Sequence, residues 1–174
     1  MLQGKKVILR AMESSDLNLI YRWENDVENW KHGDTLIPFS KEEIERYIKG
    51  VRDIYADKQL RLIICNSENN QAIGLVDLFD FDPRHSRAAI GILIGNKLLR
   101  NQGFASDTLI TICDYAFNIL AINQLHCSIA DDNQTSIKLF ASVGFQECGR
   151  RKMWHFRNEL WHDELLFQRI KDQK

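Results

Sequence analysis

The stretch from Ala88 to Ala130 constrains this chain more than any other. Residues 88–94 form a nearly unbroken apolar run, the pattern of a strand buried on both faces. A loop with Arg100 and Gly103 follows, and then Leu109, Ile112, Cys113, Ala116, Phe117 and Leu120 recur at helical spacing over residues 106–120. Residues 125–130 return to strand. Strand, helix, strand in this order is a crossover unit, so the two strands should run parallel with a right-handed connection. The centre of the sheet is expected at residues 88–94.

The flanking sequence adds further elements. Residues 6–10 read as a first strand, and Ser14 or Ser15 can cap a helix that starts at Asp16 and carries Leu17, Ile20 and Tyr21 at helical spacing. Ser40 and Glu43 form a capping box, which predicts a second helix from Lys41 to about Tyr55. Residues 60–65 and 72–79 flank the turn residues 67–70 and predict a hairpin, and residues 82–86 make another turn. A last helix over residues 136–143 should stop at Gly144, with strands near residues 146–156 and 161–170 after it. The expected fold is α/β, with a mixed sheet of about six or seven strands and helices on both faces.

With 174 residues, 44% of them apolar, the chain suits one core and a single domain over residues 1–174. Its 23 basic and 24 acidic side chains nearly cancel, so no overall field favours nucleic acid or an acidic membrane as partner. No apolar run approaches the roughly 20 residues that span a bilayer, and the first residues lack a signal-peptide layout, so a cytoplasmic location is expected. Cys65, Cys113, Cys127 and Cys148 lie far apart without a CxxC pair, as expected of reduced, mostly buried thiols rather than a zinc site.

The loop from Arg100 to Ser106 is the chemical signal. A glycine-bearing loop that opens a helix aims several backbone N–H groups and the positive end of the helix dipole at one spot, where an anion is stabilised. Gly103 and Ala105 let the main chain approach a bulky diphosphate, and Arg100 can add a charge-assisted hydrogen bond. Taken alone, the same loop also suits plain turn geometry.

A second segment narrows the reading. Arg100-x-x-Gly103-x-Ala105 resembles the diphosphate loop of the GNAT acetyltransferase superfamily, and the run from Asn133 through Ser136, Leu139 and Phe140 to Gly144-Phe145 resembles that family's N-x-x-S-x-x-L-Y-x-x-x-G-F segment. Leu9-Arg10 and Trp23-Glu24-Asn25-Asp26 are similar to the opening of the branch that contains ribosomal-protein N-terminal and spermidine acetyltransferases. The resemblance implies a GNAT-like sheet in which a splayed parallel strand pair holds acetyl-CoA, the donor substrate, with no metal. It implies that the main chain of Ile92, Leu93 and Ile94 pairs with the pantetheine arm like an added strand. It assigns Arg100, Gln102, Gly103, Phe104, Ala105 and Ser106 to the diphosphate cradle and Asn133 and Ser136 to the pantetheine; Asn133 also suits a helix N-cap.

Two positions depart from the family pattern. Phe140 stands where many relatives carry a tyrosine that protonates the departing thiolate, and a phenyl ring cannot donate; packing is its expected role. Ala89 stands nearest to a glutamate that relatives use as base, so the base must come from elsewhere. The candidates are Asp77, Glu24, Asp80, Asp82 and His85. Asp77 leads because it interrupts the apolar run 75–79, where desolvation would favour its neutral form, although a solvent-facing aspartate fits the same pattern. His126 suits a core or edge position.

For the acceptor, Trp23, Asp26 and Glu28, with Glu24 between them, combine aromatic faces and carboxylates that attract organic cations. A small amine such as the polyamine spermidine fits. A protein N-terminus, an aminoglycoside or an amino sugar satisfies the same chemistry, and an acidic loop without a ligand is the plain alternative. A CoA-binding sensor with little turnover is the reading that Phe140 and Ala89 keep open. A nucleotide site is disfavoured because neither a Walker lysine nor GxGxxG is present. Trp154, His155, Phe156 and Trp161 offer aromatic area for a homodimer or higher homo-oligomer, or simply for core packing.

Overall fold

The computed structural model describes residues 1–31, 33, 35–50 and 53–172. Its first half contains β1 (Leu2–Gln3), β2 (Val7–Arg10), α1 (Leu17–Glu24), α2 (Val27–Trp30), α3 (Lys41–Lys49), α4 (Ile54–Asp57), β3 (Leu60–Asn66) and β4 (Ala72–Asp82). Its second half contains β5 (Arg87–Ile94), α5 (Phe104–Asn118), β6 (Gln124–Ala130), α6 (Gln134–Ser142), β7 (Gln146–Arg157) and β8 (Leu160–Ile170). Among the described residues the strands make one eight-stranded sheet in the order β1-β2-β3-β4-β5-β6-β8-β7. The strand beyond the expected six or seven is β1, two residues that pair antiparallel with β2 and are too short to show a period-two pattern.

Side chains alternate across the sheet, so each strand feeds two packing layers. On β3, Leu62 and Ile64 point into a large core with Leu109, Ile112, Cys113, Ala116 and Phe117 of α5. Ile63 and Cys65 point the other way, into a smaller core with Ile20 and Trp23 of α1 and Ile44 of α3. Helices therefore cover both faces, and β4 and β5 lie at the centre of the strand order, as the apolar run 88–94 predicts. No helix of the described residues is long and apolar enough to cross a membrane.

Two helix expectations change. The helix expected from Lys41 to about Tyr55 ends at Lys49, because Gly50 turns to extended backbone (φ −61°, ψ 142°). Tyr55 belongs to the separate short α4, whose first turn is capped by Asp53, and residues 51 and 52 lie outside the described residues. Ser14 and Ser15 do not cap α1; they form a 3-10 turn with Asp16, whose carboxylate accepts from the Glu13 N–H (2.8 Å) and from both terminal nitrogens of Arg10 (2.7 and 2.8 Å). The capping box of Ser40 and Glu43 is present as read.

The feature that makes a site is the parallel pair. β5 and β6 are in register at Arg87↔Gln124, Ala88↔Leu125 and Ala89↔His126. Beyond Ala89 they part: β5 continues to Ile94 paired with β4 on its other edge, and β6 continues to Ala130 paired with β8. A wedge opens between them, with main-chain groups of β5 along one wall.

Candidate active site

The wedge is part of a cleft of about 890 Å³. Ile92, Leu93 and Ile94 line one wall, and the starts of α5 (Gly103, Ala105, Ser106) and α6 (Asn133, Ser136) line the other. Gly103 precedes α5 in the left-handed region (φ 85°), with no side chain capping the helix. The amides of the first turn of this 15-residue helix have no intrahelical acceptors, so they and the dipole face the cleft. Asn133 caps α6, its side chain accepting from the Ser136 N–H at 3.2 Å, so the N-cap reading of that residue holds. An exposed strand edge beside an open helix N-terminus fits a linear, amide-bearing pantetheine attached to a diphosphate.

Arg100 also lines the cleft, with its Nε on the Ile94 carbonyl (3.1 Å) and Nη2 on Asn29 Oδ1 (3.1 Å). Two of its donors thus brace the loop against β5 and α2. The side chains of Gln102 and Phe104 do not line the cleft. Gln102 donates to the Leu98 carbonyl (2.8 Å), and Phe104 is buried in the larger core because the first helical turn needs an apolar anchor on the sheet. What this loop offers an anion is mainly backbone.

The cleft is lined as well by Trp23, Glu24, Arg61 and Asp77, and by Glu28, whose carboxylate pairs with Lys31 (2.7 Å). Asp77 of β4 pairs directly across with Arg61 of β3. Arg61 Nε reaches Asp77 Oδ1 at 2.6 Å and Nη2 reaches Oδ2 at 3.1 Å, while Nη1 holds Glu24 Oε1. Burial pushes the guanidinium down, but the charge and hydrogen bonds of Asp77, with help from Glu24, push it further up, so it stays charged. The reason given for Asp77, a carboxylate alone among apolar side chains, is therefore corrected: a cation faces it. Arg61 was legible by the same rule that singled out Asp77, a charge at an inward position of an apolar strand, but cross-strand register had to be known to see the pair.

Of the acceptor candidates, Trp23 and Glu28 line the cleft and Asp26 does not. Asp26 caps α2 at the Glu28 N–H (3.0 Å) and pairs with Lys97 (2.9 Å); the Lys97 hydrogen bond and then the Glu28 N–H hold its carboxyl below the usual range. Asp80, Asp82, His85 and His126 lie off the cleft. Asp82 faces Arg87 (3.2 Å), and burial, reinforced by Arg87, lowers the His126 imidazole. Phe140 is buried edge-to-face against Phe145 (5.1 Å between centroids), and Ala89 is buried as well. Away from the cleft, Asp131, Asp132 and His162 converge within 4.8 Å, with Arg157 3.7 Å from Asp132.

A family model described as an acetyltransferase (GNAT) domain matches residues 6–146. The chain belongs to the GNAT acetyltransferases. It is 29% identical over 172 residues to an uncharacterized N-acetyltransferase of Bacillus licheniformis, covering 98% of this chain and 96% of that one. It is 24% identical over 163 residues to the spermidine N(1)-acetyltransferase of Escherichia coli, covering 91% and 83%. Among solved structures it is similar to the spermidine N-acetyltransferase of Vibrio cholerae with CoA and spermine (TM-score 0.85, 24% identity, 96% of both chains) and to a dodecameric form of that enzyme (TM-score 0.78, 24%, 96% and 95%). This GNAT enzyme is thus an N-acetyltransferase with acetyl-CoA as donor.

Proposed function

We propose that this enzyme acetylates a primary amine of a small cationic acceptor, with a polyamine such as spermidine the favoured class. The observation that carries the reading is the pair of carboxylates, Glu24 and Asp77, that Arg61 joins in the wall of the cleft also lined by Trp23, β5 and the start of α5. Carboxylates beside an indole attract an organic cation, and partial burial strengthens that attraction. The names of the Escherichia coli and Vibrio cholerae relatives point to the same class.

On this reading the diphosphate lies at Gly103, Ala105 and Ser106 beside Arg100, and the pantetheine runs along Ile92–Ile94 toward Asn133 and Ser136. The acceptor ammonium loses a proton to Glu24, directly or through one water. Among the described residues Glu24 Oε2 has no hydrogen bond, whereas both Asp77 oxygens are held by Arg61. Glu24 is accordingly the general base and Asp77 the electrostatic partner, reversing their order in the sequence reading. The neutral nitrogen adds to the thioester carbonyl, and a backbone N–H of β5 stabilises the oxyanion. As the C–S bond breaks, the cationic nitrogen of the adduct gives up its surplus proton, which reaches the thiolate through water because Phe140 has no proton to give. Exposed Trp154, Phe156 and Trp161 on β7 and β8 serve self-association in this proposal.

The test is thiol release from acetyl-CoA with spermidine, an aminoglycoside, an amino sugar and an N-terminal peptide. Release that depends on spermidine and falls about a hundredfold in Glu24→Gln is expected for loss of a general base. Tight CoA binding without release, with activity appearing in Phe140→Tyr, would instead establish a CoA sensor.

A further inference from the structure

We infer that Arg61 is the positioning residue of the acceptor end of the cleft and sets the charge that the amine meets. The inference rests on the amine-acceptor reading above. Arg61 projects from β3 onto the face covered by α1 and α3, directly opposite Asp77, and its guanidinium joins three elements. Two of its nitrogens hold both Asp77 oxygens on β4, a third holds Glu24 on α1, and its carbon stands 5.6 Å from the ring centre of Tyr47 on α3. The three charged side chains are 17 to 21% exposed, so solvent screens them only in part.

Two consequences follow from this geometry. Glu24 sits at the last position of the eight-residue α1, where its side chain would otherwise sample several rotamers; the guanidinium fixes one of its oxygens and leaves the other without a hydrogen bond among the described residues. The second consequence is electrostatic. Two carboxylates and one permanent cation leave a single net negative charge, which matches one ammonium beside the reacting amine. Without Arg61, two uncompensated carboxylates would hold a dication more tightly in the ground state, and such uniform binding does not speed the chemical step. Arg61 therefore sacrifices acceptor affinity for geometry, and lysine cannot replace it, because one ammonium on a flexible stem cannot grip both carboxylates in a plane.

The experiment compares the parent with Arg61→Gln and Arg61→Lys, using thiol release from acetyl-CoA with a monoamine and a diamine of equal length. Calorimetric affinity for CoA is the folding control. Arg61→Gln is expected to lower kcat about a hundredfold, the scale of a small misplacement of catalytic groups. It should also lower KM for the diamine relative to the monoamine by about tenfold, the scale of one added charge near the surface. Arg61→Lys should restore the parent's charge preference but not its kcat. A purely structural role would weaken CoA and both amines alike. Unchanged kcat and unchanged charge preference in Arg61→Gln would overturn the role of Arg61 alone, and so would full kcat in Arg61→Lys if Arg61→Gln does not bind CoA. No release from the parent with either amine or with spermidine would overturn the acceptor reading and this inference with it.

Discussion

Gly103 and Gly95 show how single residues separate the two halves of the cleft. At φ 85° an alanine in place of Gly103 costs about 1–2 kcal/mol of backbone strain. Its Cβ would also stand 3.4 Å from Lys6 Nζ, which bonds the Gln102 carbonyl (2.9 Å) and steadies the loop. Gly103→Ala is therefore expected to raise KM for acetyl-CoA about tenfold while kcat at saturating donor changes little, as steady-state thiol release would show. A Cβ at Gly95 would clash with the Trp23 indole. Gly95→Ala must push that ring aside, so KM for the acceptor should rise while CoA affinity measured by calorimetry stays unchanged. The cysteines give a third test at this scale. Burial pushes Cys113 up to about 11 and Cys127 up to about 12, so both thiols stay protonated at neutral pH, while Cys148 is exposed. Native protein should show one fast phase with a disulfide reagent, and Cys148→Ser should abolish it.

Among the elements, the junction of β2 and α1 depends on Asp16. Burial pushes its carboxyl up, but the Arg10 hydrogen bonds, the Glu13 N–H and the Arg10 charge outweigh burial, and the net shift is downward. A lowered folded value means that Asp16 stabilises the fold fully above the unfolded value of about 4, and that this stability is lost as pH falls through the folded value. Asp16→Asn is expected to cost about 1–3 kcal/mol in urea unfolding at neutral pH, and the gap from the parent should narrow as acid protonates the parent's Asp16 carboxyl. The same element scale explains the two helix corrections. A capping box and an apolar period declare that α3 begins, but its end depended on Gly50 taking extended backbone, which the period of Ile44, Tyr47 and Ile48 did not reveal. At the start of α1, a buried carboxylate bridged by Arg10 replaced the serine cap, and that bridge comes from the end of the preceding strand β2.

For the whole molecule, the uneven burial of the sheet is the main fact. β4 and β5 are covered on both faces, whereas Met153, Trp154, Phe156, Leu160 and Trp161 on the terminal hairpin are each more than half exposed. The nearly balanced charge of the chain offers little self-repulsion to oppose association through that hairpin. On the proposed self-association through this hairpin, Trp161→Glu is expected to shift sedimentation velocity toward a smaller species without lowering the melting temperature by more than a few degrees; an unchanged sedimentation coefficient would refute that proposal.

Local chemistry made much of this protein legible. The apolar run of β5, the helical period of α5 and the returning strand β6 required a parallel pair, and Arg100, Gly103 and Asn133 fell at its mouth, because periodicity and turn residues act over a few positions. Three-dimensional packing decided what side chains from distant segments do when they meet. The parting of β5 from β6 after Ala89 and the pairing of Arg61 with Asp77 arise from register between strands, while the burial of Phe104 and the reach of Arg61 to Glu24 arise from how α5 and α1 pack on the sheet. A one-residue shift in register would turn Arg61 or Asp77 to the opposite face, and no pattern within a single strand records it.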